Sequence, residues 1–109
     1  MTEICVYRKG QTIVKYTLRG HTGFAEQGED IVCAAVSAVS MATLNGLTDV
    51  VSIPVGYETA EGYLECILPD NLTKEQRHDA DVLLYTMLLS LKNLEEQYGE
   101  YITIMELEV

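Results

Sequence analysis

A chain of 109 residues can build one core and is too short for two, so residues 1–109 read as a single domain. Seventeen acidic residues against seven basic ones give a formal charge of −10, which repels phosphate backbones and argues against direct nucleic-acid binding. The same charge either speeds encounter with a basic partner or simply keeps the protein soluble.

The first residues, MTEICVYRKGQTIV, lack the apolar run of a secretory signal. A cytoplasmic, reducing location is therefore expected, in which Cys5, Cys33 and Cys66 need not pair. Residues 3–8 and 12–18 are rich in Val, Ile, Thr and Tyr and predict two strands joined by a turn at Lys9-Gly10-Gln11. In the second strand Thr12, Val14, Tyr16 and Leu18 fall on one face by the two-residue period. The period then breaks at RGHTGFAEQGED, which reads as a loop. Asp30 is a natural N-cap for a helix running to about Leu44, with Asn45-Gly46 as its stop. Residues 31–48 are uncharged and approach the length of a membrane span, yet Ser37, Ser40, Thr43, Asn45 and Gly46 favour a buried helix instead. Ala34, Ala38 and Ala42 form a small-residue ridge suited to close packing.

Two more strands are expected at 50–58 and 62–68, connected through Thr59-Ala60-Glu61, with Pro54 marking an edge or a bulge. Thr73 and Gln76 make a capping box. It opens a long helix in which Ala80, Leu84, Met87, Leu91, Leu94 and Tyr98 recur at helical spacing until Gly99. A last strand spans 101–109. The element order is ββαββαβ, and the fold class is α+β: a five-stranded, mainly antiparallel sheet covered by two helices.

Chemistry concentrates around the loop. His21 stands at its start and Cys33 just past its end. With Asp30 as cap, Cys33 takes the third helical position, where unpaired amides and the helix dipole favour a thiolate over a thiol. Asp30, Cys33 and Ser37 share one helix face by their spacing. A buried structural cysteine remains the competing account of Cys33. His21 is the one candidate base nearby, since His78 sits in the second turn of the long helix and reads as solvated. Cys5 and Cys66 lie in strands and read as packing residues. Two distant histidines give no metal-binding pair, so neither a metal nor another cofactor is expected.

Gly20-His21 together with Gly28-Glu29-Asp30-Ile31-Val32-Cys33-Ala34-Ala35-Val36-Ser37 resembles the signature of the bacterial ribosomal-processing cysteine protease family, Prp. The resemblance extends over essentially the whole chain and includes an asparagine near the end of the first helix. Thr22 departs from the alanine expected after the histidine, which touches loop packing only. The resemblance implies a cysteine endopeptidase that removes a short apolar N-terminal extension, ending in an aromatic residue, from the twenty-seventh large-subunit ribosomal protein. It implies Cys33 as nucleophile, His21 as base, Asp30 and Ser37 as supporting residues, and a homodimer. It also implies a mobile loop, including Gly20, Thr22, Gly23, Phe24 and Gly28, that orders on substrate.

Several roles stay open at this point. Asp30 can cap the helix or orient His21, and the cap is the favoured role. Ser37 can bond the thiolate or its own helix backbone. First-turn amides could hold an oxyanion, and Phe24 with the tyrosines could line an apolar groove or belong to the core. The rival functions are a non-catalytic acidic ribosome-assembly binding protein and a thiol or acyl transferase acting on a small molecule. RNA binding could be rescued only by a local Arg8-Lys9/Arg19 patch.

Overall fold

The computed structural model describes residues 1–21, 23–26 and 30–109. Its elements are β1 (Thr2–Lys9), β2 (Thr12–Arg19), α1 (Ile31–Asn45), β3 (Gly56–Ala60), β4 (Tyr63–Ile67), α2 (Lys74–Tyr98) and β5 (Ile102–Glu108). The strands form one sheet in the order β3-β4-β2-β1-β5, antiparallel throughout except for the parallel β1–β5 pair. This is the expected α+β architecture and element order.

Alternation puts Ile4 and Val6 of β1, Tyr16 and Leu18 of β2, Leu64 and Cys66 of β4, and Ile102 of β5 on one face, where they are buried. Both helices cover this face in a single core, with Val32, Val36 and Leu44 from α1 and Ala80, Leu84, Met87, Leu88 and Leu91 from α2. Tyr16 ties sheet to helix by donating its hydroxyl to the Ser40 carbonyl at 3.2 Å. The opposite face carries charge, including Glu3, Lys15 and Glu65, the last two paired at 3.4 Å.

Four expectations about the elements need correction. The β1–β2 register slips between Tyr7 and Arg8, so that Ile13 rather than Val14 or Thr12 joins the core. The α-helix itself ends at Asn45 as expected, but Asn45-Gly46 does not end the helical path. Gly46 stays right-handed (φ −60°, ψ −45°) and the chain continues through a π turn, Gly46–Val50. Gly46 is there for proximity: a Cβ on it would lie 3.1 Å from both methyls of Leu83 in α2. The third strand consequently begins at Gly56 and not at 50. Pro54 precedes it, in a segment whose Ile53 is buried and donates its amide to Leu47. The hairpin turns at Glu61-Gly62 instead of 59–61.

The capping box is present, with Gln76 N donating to Thr73 Oγ1 at 3.1 Å and Thr73 N to Gln76 Oε1 at 3.0 Å. Ile31–Val50 is long and apolar enough to cross a membrane by length and composition. In this fold Val32, Val36, Leu44 and Leu47 from that stretch pack into the core. The alanine ridge faces outward, since Ala34, Ala38 and Ala42 are all exposed.

Candidate active site

The end of β2, the start of α1 and the β3–β4 turn meet at one end of the sheet. Arg19 is the last residue of β2 paired with β4, opposite Tyr63. One step further, Gly20 N donates to Gly62 O at 2.8 Å, which carries His21 out beside the turn. Asp30 caps α1 with an extended backbone, and its Oδ1 accepts from Cys33 N at 2.8 Å. The cap fixes where α1 begins, and it therefore fixes the half-buried Cys33 at the third helical position.

Two cavities open at this junction. One, of about 190 Å³, is walled by Leu18, Val36, Met41, Ala60 and Leu64 together with His21, Cys33 and Ser37. The other, of about 370 Å³, is lined by His21, Gly23, Ala25, Asp30, Cys33, Ala34 and Ser37. His21, Cys33 and Ser37 are the residues common to both walls. The structure thus brings together four of the expected site residues, His21, Asp30, Cys33 and Ser37. Among the described residues no hydrogen bond joins His21 to Cys33, and none is made by the Ser37 hydroxyl to a sulfur or to its own helix. Because Cys33 N is engaged by Asp30, that amide is not free for an oxyanion.

Of the expected loop residues, Thr22 and Gly28 lie outside the described residues. Phe24 lines neither cavity. It packs edge-on against Tyr98 and Tyr101, with ring centroids 5.8 and 5.3 Å away, so its aromatic surface is directed to the junction of α2 and β5. Of the tyrosines offered for the apolar groove, Tyr63 does line the smaller cavity, and the rest of that wall includes residues the sequence does not flag, among them Met41, Thr59, Ala60 and Gly62. Their one advance signal is the Glu61-Gly62 pair, a turn dipeptide between two strands.

The remaining chemistry-bearing residues lie elsewhere. Cys5 and Cys66 are buried in strands, and burial pushes the Cys66 thiol up to about 12. His78 is exposed on α2 with Nδ1 3.3 Å from Asp79 Oδ1. Arg8 and Arg19 sit at opposite ends of the β1–β2 ladder, opposite Ile13 and Glu3, so they form no basic patch. Arg8 instead pairs with Glu106 at 3.7 Å. Among the described residues no group of three or more His, Cys, Asp or Glu could hold a metal ion.

The family model for cysteine protease Prp matches residues 1–103. The chain belongs to this family. It is 31% identical over 94 residues to the ribosomal processing cysteine protease Prp of Bacillus subtilis strain 168, covering 84% of each chain. To the Prp of Staphylococcus aureus strain Mu50 it is 32% identical over 104 residues, 94% of this chain and 93% of the relative. The fold superimposes on an essential S. aureus Prp in complex with a covalently linked product peptide, with a TM-score of 0.87, 27% identity, and 97% and 99% of the two chains covered. It also matches the same protease with a substrate peptide at a TM-score of 0.82 and 26% identity, again over 97% and 99%. As a Prp family member the chain is a cysteine protease, and the non-catalytic reading falls.

Proposed function

We propose that this protein is an endopeptidase that removes the short N-terminal extension from the precursor of the twenty-seventh large-subunit ribosomal protein. Cys33 is the nucleophile and His21 the general base. The observation that carries this reading is that His21 and Cys33 stand on the shared wall between two open cavities. A peptide laid across them would put residues on both sides of one bond next to a thiol and an imidazole. A small-molecule transferase would instead need a compact, closed pocket.

The chemistry is covalent. His21 takes the thiol proton, and Cys33 Sγ attacks the scissile carbonyl carbon to give a tetrahedral oxyanion. The C–N bond breaks as His21 returns the proton to the leaving amine, and water then hydrolyses the thioester. The amino end of α1 faces this charge as it develops. With the Cys33 amide held by Asp30, the oxyanion falls to other first-turn donors. Asp30 supports the site by fixing the start of the helix, and Ser37 by lining both cavities one turn beyond the thiol. The apolar walls of the smaller cavity suit an apolar segment ending in an aromatic residue. A charge of −10 attracts the basic remainder of a ribosomal protein. A cytoplasmic location, expected from the sequence, and a homodimer, implied by the family resemblance, complete the proposal.

The test is cleavage of a peptide spanning the extended N-terminus by wild type, Cys33→Ala and His21→Ala, with products read by mass spectrometry. Cutting at one bond by wild type and no detectable product from either variant is expected. Cleavage by Cys33→Ala would reject the assigned nucleophile, and an intact peptide with wild type would reject the substrate.

A further inference from the structure

Gly62 is far from His21 in sequence, yet the two are in contact. A Cβ built on Gly62 would lie 3.0 Å from His21 Nε2, 3.4 Å from Cε1 and 3.5 Å from Cδ2. The imidazole therefore lies closer to a side chain at position 62 than ordinary packing allows, and one of the two would have to give. The same residue accepts the Gly20 amide at 2.8 Å, which fixes the backbone one residue before the histidine. Its left-handed backbone, φ +68°, is what turns the β3–β4 hairpin back toward β2.

We propose that Gly62 is a positioning residue for His21: its carbonyl sets the height of the histidine's backbone and its bare α-carbon is the seat of the ring. The inference rests on the reading of His21 as general base, and it names what holds that base on an otherwise exposed site. The β3–β4 hairpin then has a purpose beyond walling the cavity. A methyl group at 62 would push the ring by several tenths of an ångström. Misplacement of a catalytic group by about 1 Å can cost about a hundredfold in rate, so a loss of about tenfold is expected here.

Gly10 supplies the control. It is also left-handed, at φ +64°, but a Cβ on it would meet nothing within 4 Å. The experiment compares kcat and KM for peptide cleavage by wild type, Gly62→Ala, Gly10→Ala and His21→Ala, together with the His21 Cε1–H resonance titrated by NMR. Gly62→Ala should lower kcat about tenfold with KM within threefold and move the His21 resonance, while Gly10→Ala keeps kcat within twofold. A kcat for Gly62→Ala within twofold of wild type, with His21→Ala inactive, would overturn the proposal. So would a change confined to KM, or an equal kcat loss in Gly10→Ala. Activity in His21→Ala would instead sink the underlying reading. Should Gly62→Ala fail to fold, an NOE in wild type between the Gly62 α-protons and the His21 ring decides: its presence supports the contact and its absence refutes it.

Discussion

Gly20 is held by sterics from outside its own segment. Its backbone is left-handed at φ +90°, and a Cβ there would come within 2.6 Å of the Met1 carbonyl oxygen. Neither party to that clash is a flexible side-chain tip, so relief requires opening the end of the β1–β2 ladder where Glu3 pairs with Arg19. Gly20→Ala should therefore cost at least about 2 kcal/mol. For a chain this size that is a fall of about 10 °C in thermal midpoint by circular dichroism. Cleavage should drop with it, because His21 is the next residue. An unchanged melt would show that the N-terminal strand yields freely. This contact, like that of Gly62 with His21, joins residues remote in sequence, and no local pattern announces it. His21 and Cys33 are legible for the opposite reason. With two histidines and three cysteines in the chain, the pair that flanks a patternless loop stands out. Cys5 and Cys66, inside strand patterns, read correctly as packing.

At the scale of elements, both ends of α1 are legible in the sequence and the π turn that follows it is not. Asp30 acts through residues within one turn, and a cap is a local interaction that the sequence displays. Gly46 acts through Leu83 on another helix, so Asn45-Gly46 looks like a stop while the chain in fact continues through Val50. That overrun moved the start of β3. A single bulge likewise reversed the inward phase of β2 near Ile13, because a period-two reading has no means of detecting one extra residue. The periodicity of α2 survived intact, since twenty-five residues with a capping box and a continuous apolar stripe leave little to tertiary override. The cap itself makes a separable prediction. Asparagine caps about as well as aspartate, so Asp30→Asn should melt within about 2 °C of wild type. Asp30→Ala should lose about 1 kcal/mol, or about 4–8 °C. Equal losses in the two variants would mean that the carboxylate charge matters more than the Oδ1 acceptor.

Taken as a whole, the molecule covers one face of its sheet with two helices and buries ionisable side chains there. Tyr16 and Cys66 are direct cross-strand partners on β2 and β4, and both are fully buried. Burial pushes the Cys66 thiol up to about 12 and the Tyr16 phenol upward as well, because neither can ionise without losing hydration. A raised folded value means that the stability is fully present below the unfolded value, near 9 for the thiol. It is lost as pH climbs from there toward 12, since the unfolded chain releases the proton first. Up to about 1.4 kcal/mol per pH unit is expected from one such group. Tyr16 adds its share above about pH 10, the ordinary range of a phenol. The net charge of −10 also disfavours the compact state as pH rises, but that repulsion acts on every variant alike. Cys66→Ala separates the two effects. Urea midpoints measured at pH 8, 9 and 10 should fall in wild type, with a visibly shallower fall in Cys66→Ala between pH 9 and 10. The variant will start from a lower stability, by about 1–2 kcal/mol, because it leaves a small cavity. The slope is thus the decisive quantity and the intercept is not. Parallel slopes would assign the alkaline weakness to charge repulsion alone and remove the buried thiol from the account.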